Sequence, residues 1–185
     1  GNKEAGESML GAARRLGLLG NEVEIVGTTV DGETFDWSEY AGKVVLIDYW
    51  ATCCGPCRAE LPNVLDNYEK YHDRGFEVVG ISLDDDRATL EEFLADKELP
   101  WTTLYSDDPE ATGWQHPMAT YYGVSSIPTV MLVDRDGKVV SLNARGPQLS
   151  AMLARLIGPP DDDSAGDDAN APAESDGANA DGDGD

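Results

Sequence analysis

One stretch narrows the folds open to this chain of 185 residues more than any other. Lys43-Val44-Val45-Leu46-Ile47-Asp48-Tyr49-Trp50 is a near-continuous apolar run, and Cys54-Gly55-Pro56-Cys57 follows shortly after it. A strand that is apolar on both faces has to be covered on both, so the chain needs helices above and below a sheet. The residues from Cys54 to about Asp73 predict a helix, with Pro62 interrupting its hydrogen-bond ladder and Gly75 stopping it. Two cysteines three apart therefore fall on the first turn of a helix that leaves a buried strand.

The remaining pattern keeps alternating. Val23 to Val30, Asp31-Gly32 and Glu33 to Phe35 read as an N-terminal hairpin with an Asp-Gly turn. Phe76 to Leu83 is a second buried strand. Leu90, Phe93 and Leu94 mark a helix from about Arg87 to Glu98. Trp101 to Tyr105 suits a short strand, and Pro109 to Tyr122 a loop with some helix. Thr129 to Val133, Asp136-Gly137 and Val139 to Leu142 make a closing hairpin. Leu149, Met152, Leu153, Leu156 and Ile157 then recur with helical spacing, an amphipathic final helix. Strands alternating with helices imply an α/β sandwich with helices on both faces, and the last hairpin makes its central sheet mixed.

Three segments follow. Residues 1–20 carry a short helical pattern, Ser8 to Leu16, and read as a helical or linker segment ending an upstream region. Residues 21–158 form one domain. Residues 159–185 hold ten acids, no base and no large apolar side chain, so they are expected to be disordered.

The charge excludes some functions. The chain has 36 acids against 13 bases, a formal net charge of -23. So few cations among so many carboxylates cannot supply the basic face that nucleic acid or anionic lipid requires. No apolar run reaches the roughly 18 residues of a membrane-spanning helix. Residues 1–20 show no secretory signal, so any membrane tether is expected to come from sequence upstream.

The chemistry sits in Cys53, Cys54 and Cys57. Three cysteines within five residues are no disulfide framework; they serve chemistry or a metal. Cys54 lies where free N–H groups and the helix dipole stabilise a thiolate, below the free-thiol value of roughly 8.5. Cys57, one turn deeper, is expected to be more buried. A structural zinc clip wants four ligands, and no second cysteine pair exists. Asp48 is a carboxyl within an apolar strand, and its burial requires a hydrogen-bonding or a chemical reason. Arg58 and Glu60 read as solvated helix residues, and Asp84-Asp85-Asp86 as a loop and N-cap. His72 reads as a surface cation ending the first helix, and His116 as part of an exposed loop.

These residues resemble the TlpA/ResA-like thiol–disulfide oxidoreductases of the thioredoxin superfamily. The likeness runs over roughly residues 20 to 158: Val44 to Thr52, the Cys-Gly-Pro-Cys, Arg58 to Pro62, Phe76 to Ser82, Tyr122-Gly123-Val124, Ile127-Pro128-Thr129 and Val133 to Gly137. It implies a thioredoxin-like fold with a central insertion, Asp84 to Tyr122, between the cysteine-bearing helix and the strand after Pro128. It implies Cys54 as nucleophile, Cys57 as resolving thiol and a redox-active Cys54–Cys57 disulfide, with no other cofactor and no metal. Asp48 aligns with the family's buried proton acceptor, and Pro128 with its cis-proline. Trp50, Cys53, Gly55, Pro56 and Ile127 would border the substrate.

By the same resemblance the protein is a monomer acting outside the cytoplasm, in a periplasm-like space. It would reduce protein disulfides with electrons from an upstream thiol–disulfide donor. One residue departs from the family: Cys53 stands where a Trp normally precedes the first active-site cysteine. Cys53 and Cys57 also have the Cys-x-x-x-Cys spacing of copper-binding relatives of this fold, which need a distant histidine such as His116. A copper-binding module is thus the alternative, and a redox-inert interaction domain a third reading. Peroxiredoxin chemistry is disfavoured, because Thr52 stands two rather than three residues before Cys54.

Overall fold

The structure, a computed structural model, describes residues 2–160. Its strands are β1 (Val44–Trp50), β2 (Phe76–Ser82), β3 (Thr102–Leu104), β4 (Thr129–Val133) and β5 (Val139–Ser141). They form one sheet in the order β3-β2-β1-β4-β5. β1 and β2 are parallel, as are β2 and β3; β4 runs antiparallel to both β1 and β5. The sheet is therefore mixed, with the most apolar strand at its centre.

The helices are α1 (Asn2–Leu16), α2 (Gly55–Tyr71), α3 (Arg87–Lys97), α4 (Pro117–Tyr121) and α5 (Pro147–Ile157). Alternation along each strand sends successive side chains to opposite faces. Val44 and Leu46 pack with Leu61 and Val64 of α2 and Leu149 and Leu153 of α5. Val45, Ile47 and Tyr49 face the other way, onto Val23, Ile25, Met118 and Tyr122. This double coverage is why β1 carries almost no polar residue, and it makes Asp48 conspicuous.

The expected N-terminal hairpin is present but short. Gly32 N donates to Thr29 O, Thr29 N to Glu33 O and Phe35 N to Gly27 O, around a Thr28–Thr34 bridge. The other edge of the same arm is paired as well: Val30 N donates to Thr103 O and Tyr105 N to Thr28 O, which adds residues 28–30 beside β3. Upstream, Gly20 N donates to Val139 O and Val139 N to Asn21 O, which fastens the same segment to β5. Between these anchors Val23 and Ile25 are buried at alternate positions, as a strand pattern requires.

Helix α1 is longer than the pattern from Ser8 to Leu16 and lies against the domain. Arg14 Nη1 donates to Tyr121 O, and Arg15 Nη1 to the carbonyls of Tyr122 (2.8 Å) and Gly123 (2.6 Å). Gly11 meets the Gly123 backbone so closely that a Cβ there would lie 2.6 Å from Gly123 N. The acidic segment expected to be disordered lies, from residue 161 on, outside the described residues. No described helix is long and apolar enough to cross a membrane.

Candidate active site

The site grows from the carboxyl end of β1. After Trp50 the chain makes a tight turn in which Cys54 N donates to Ala51 O (3.1 Å). Cys54 then caps α2 in an extended backbone conformation, its Sγ accepting from Cys57 N at 3.2 Å. A sulfur that receives a helix-terminal N–H is placed to hold negative charge. Pro56 stands in the first turn, where the missing N–H leaves no gap in the ladder.

Cys54 and Cys57 are joined as a disulfide. Their exposure is graded: Cys53 is exposed, Cys54 half-buried, and Cys57 only 4 % exposed. An incoming sulfur therefore has a path to Cys54 and none to Cys57. Beneath them Cys57 packs with Trp50, Leu90 and Tyr105, and the Phe93 ring lies 5.4 Å from that of Trp50. Trp50 is thus a floor to the disulfide rather than a flank: 2 % exposed, it offers no surface to a substrate. Gly55 and Pro56 are exposed beside Cys54.

The Ile127–Pro128 peptide is cis. Ile127 and Cys54 both border the Trp50–Cys57 cluster, so the fold brings together residues far apart in the chain. α1 grips the backbone of residues 121–123, just ahead of this loop.

Asp48 shares the face of β1 that α2 covers. It is 8 % exposed, and its Oδ1 has no hydrogen-bond partner. Burial, reinforced by the charge of Glu60 and opposed by Arg145, pushes its carboxyl up to about 7. A group poised there can take up or release a proton at neutral pH. Glu60 is not the solvated residue expected. Its Oε1 accepts from Gly146 N (2.6 Å) and Asn63 Nδ2 (2.7 Å), because α2 leans on the loop entering α5. The site therefore holds a second carboxyl.

Three other expectations have mixed outcomes. His116 is buried, not exposed, and its Nδ1 accepts from Met118 N as the cap of α4. Burial pushes its imidazole down to about 4. His72 does end α2 as an exposed residue, stacked on Tyr68 at 4.4 Å. Among the described residues no group of three or more His, Cys, Asp or Glu is placed to hold a metal ion. In the Asp84-Asp85-Asp86 run only Asp86 caps α3, accepting from Thr89 N. Asp84 is instead buried against Thr52, a role that the triple repeat obscures. The usable signal is alternation: carried past Ser82, the β2 pattern sends Asp84 inward.

Residues 18–153 match the Redoxin family. The chain belongs to that family. Similar curated proteins include the thiol-disulfide oxidoreductase ResA of Bacillus thuringiensis subsp. konkukian, 29% identical over 140 residues, 75% of this chain and 76% of that protein. ResA of Oceanobacillus iheyensis is 27% identical over 118 residues, 64% of this chain and 58% of that one. Among solved structures, the thioredoxin domain of a thiol-disulfide oxidoreductase from Bacteroides vulgatus superposes with a TM-score of 0.66 at 25% identity, over 75% of this chain and 97% of that one. A Chlorobium tepidum protein described as a DsbE thiol:disulfide interchange protein shares 31% identity with a TM-score of 0.59, over 73% of this chain and 91% of that one. This Redoxin-family chain is a TlpA/ResA-like thiol–disulfide oxidoreductase of thioredoxin-like fold.

Proposed function

We propose that the protein is a protein-disulfide reductase working through Cys54-Gly55-Pro56-Cys57. The observation that carries this reading is the Cys54–Cys57 disulfide at the N-terminus of α2, with Asp48 buried and unpartnered on the face that α2 covers. In the reduced enzyme the Cys54 thiolate attacks one sulfur of a substrate disulfide. The other substrate sulfur leaves as a thiolate, and a mixed disulfide joins substrate to Cys54. Cys57 then gives its proton to the Asp48 carboxylate and attacks Cys54 Sγ. The second substrate thiolate departs, two electrons have passed to the substrate, and the enzyme holds the Cys54–Cys57 disulfide.

The cis Ile127–Pro128 segment beside Cys54 suits an extended substrate chain, which would pair with the Ile127 backbone as an added strand. Gly55, Pro56 and Cys53 would border that chain, being exposed around Cys54. Family likeness supports a monomer acting outside the cytoplasm and recharged by an upstream dithiol donor. The Gly-Pro between the cysteines supports the reducing direction.

Insulin reduction by the wild type and by Cys54→Ser tests the reading. The wild type should turn over and the variant should be inactive; undiminished turnover in Cys54→Ser would overturn it. A redox titration in glutathione and dithiothreitol buffers fixes the direction, since a strongly reducing midpoint marks a reductase.

A further inference from the structure

We propose that Asp84 is a positioning residue for the nucleophile. It would act through Thr52 to hold the turn that presents Cys54, an inference that rests on Cys54 being the attacking sulfur. The carboxylate lies just beyond β2 and is 7 % exposed. Its Oδ1 accepts from Thr52 N at 3.0 Å and from Thr52 Oγ1 at 2.6 Å. Its Oδ2 accepts from Ser82 Oγ at 2.8 Å and lies 3.2 Å from Thr52 N. Ser82 and Thr52 are themselves buried. Among the described residues Asp84 joins no ion pair.

With no ion-pair partner among the described residues, the buried Asp84 side chain is held by hydrogen bonds alone. Apart from the bond from Ser82 Oγ, they come from one residue, Thr52. Thr52 is the second residue of the Ala51–Cys54 turn, and that turn ends on the cap of α2. The last backbone bond from the β2 side reaches Trp50, whose O accepts from Leu83 N, one residue before the turn. Asp84 extends the hold of the sheet by two residues, from the ladder into the active-site loop. It thereby sets where Cys54 Sγ stands relative to Cys57.

The same residue fastens the insertion. Thr112 Oγ1 donates to Asp84 O at 3.1 Å, and the Tyr105 hydroxyl donates to Asp85 O. Movement of the segment around residue 112 would reach the cysteine turn through a single side chain. Ring closure between two thiols depends on how well they are held in attack geometry. Loosening Thr52 should lower the effective concentration of Cys57 at Cys54, which makes the disulfide easier to reduce.

The test compares Thr52→Val, Thr52→Ser and Asp84→Asn, all in a Cys53→Ser background so that one thiol pair is observed. Two quantities are read: the equilibrium between dithiol and disulfide in glutathione buffers, and the rate of insulin reduction. Thr52→Val and Asp84→Asn should each shift the equilibrium constant by about tenfold toward the dithiol, equivalent to about 30 mV. The insulin rate should fall by a similar factor, about the worth of one hydrogen bond to a charged group. Thr52→Ser keeps the hydroxyl and should match the parent in both. The idea is overturned by Thr52→Val within twofold of the parent, or by Thr52→Ser as impaired as Thr52→Val. Should Asp84→Asn fail to fold, the Val/Ser pair still decides. A parent that equilibrates with glutathione but does not reduce insulin refutes the reductase reading, while the equilibrium shifts still judge Asp84.

Discussion

Replacing Asp48 by Asn removes one buried ionisable group and almost no volume, and its effect on stability should depend on pH chiefly because of that burial. The folded-state pKa is raised from 3.8 to about 7, so between those values the folded chain holds a proton that the unfolded chain releases. Stability therefore falls as pH rises through that window, and above it the full cost of a buried carboxylate is present. At about 1.4 kcal/mol per tenfold change in proton affinity, the window is worth roughly 4 kcal/mol. Integrated between about pH 4.5 and about pH 8.5, the gain of Asp48→Asn over wild type should grow by roughly 3 kcal/mol. The amide's own burial shifts the difference equally at every pH and drops out of this comparison. The assay is chemical denaturation of oxidised wild type and Asp48→Asn across that range, with both in the same buffers. A stability difference that stays flat with pH would refute the burial argument. Under the proposed role of Asp48 as acceptor for the Cys57 proton, the more stable variant should also be the slower one in insulin reduction.

Further outcomes can be checked alongside. His116 has its pKa lowered to about 4, so the unfolded chain takes up a proton below about 6.5 while the folded one resists. Stability should drop by roughly 3 kcal/mol as pH falls through that interval. His116→Asn keeps a capping oxygen for Met118 N, and its stability relative to wild type should rise by that amount as pH falls through the interval; a difference that stays flat would refute the assignment. In the wild type the Asp48 and His116 slopes oppose each other below pH 6.5, so each single variant should look more pH-sensitive than the parent. Glu60→Gln keeps an acceptor for Gly146 N but loses a charge, and should lower the Asp48 pKa by less than burial raises it; a carboxyl-carbon NMR titration reads this, and an unmoved Asp48 curve counts against it. Gly11→Ala forces a Cβ against Gly123 N and Cα, at 2.6 and 2.7 Å, and should weaken the docking of α1 by roughly 1–3 kcal/mol. Limited proteolysis should then cut within α1 faster than in wild type; equal cutting would deny the contact.

The elements that sequence made plain are those whose burial is symmetrical. β1 and β2 are covered on both faces, so their near-continuous apolar runs announce them, and α5 carries a clean stripe. The cysteine site was equally legible, since motif, strand and helix are contiguous. Asp48 was visible for the same reason, a carboxyl being out of place in such a strand. Residues whose partners lie far along the chain were harder to read. Glu60 looks solvated on a helix until the loop at Gly146 closes on it, and His116 looks exposed until α4 folds over it. The Val23 to Phe35 pattern was right about alternation and about the hairpin, but it does not announce the pairing with β3, which uses the other edge of the same arm and is made only in three dimensions. Trp50 follows the same rule. Adjacent in sequence to the active-site turn, it is turned under the disulfide by the strand's own period.

The segment from Leu19 to Val30 lies along both margins of the sheet, bridging to Val139 on one side and Leu104 on the other. Unpaired strand margins invite stray chains, and proteins that meet unfolded or oxidised partners are especially open to such pairing. Here one stretch of backbone occupies each margin with its own amides and carbonyls. The Ile127 backbone, beside Cys54, makes no backbone hydrogen bond among the described residues. Under the proposed strand addition at Ile127, an arriving extended chain would find the outer strands engaged and open main chain near the cysteine pair. The belt that closes the fold would then steer such pairing away from the sheet margins and toward the disulfide.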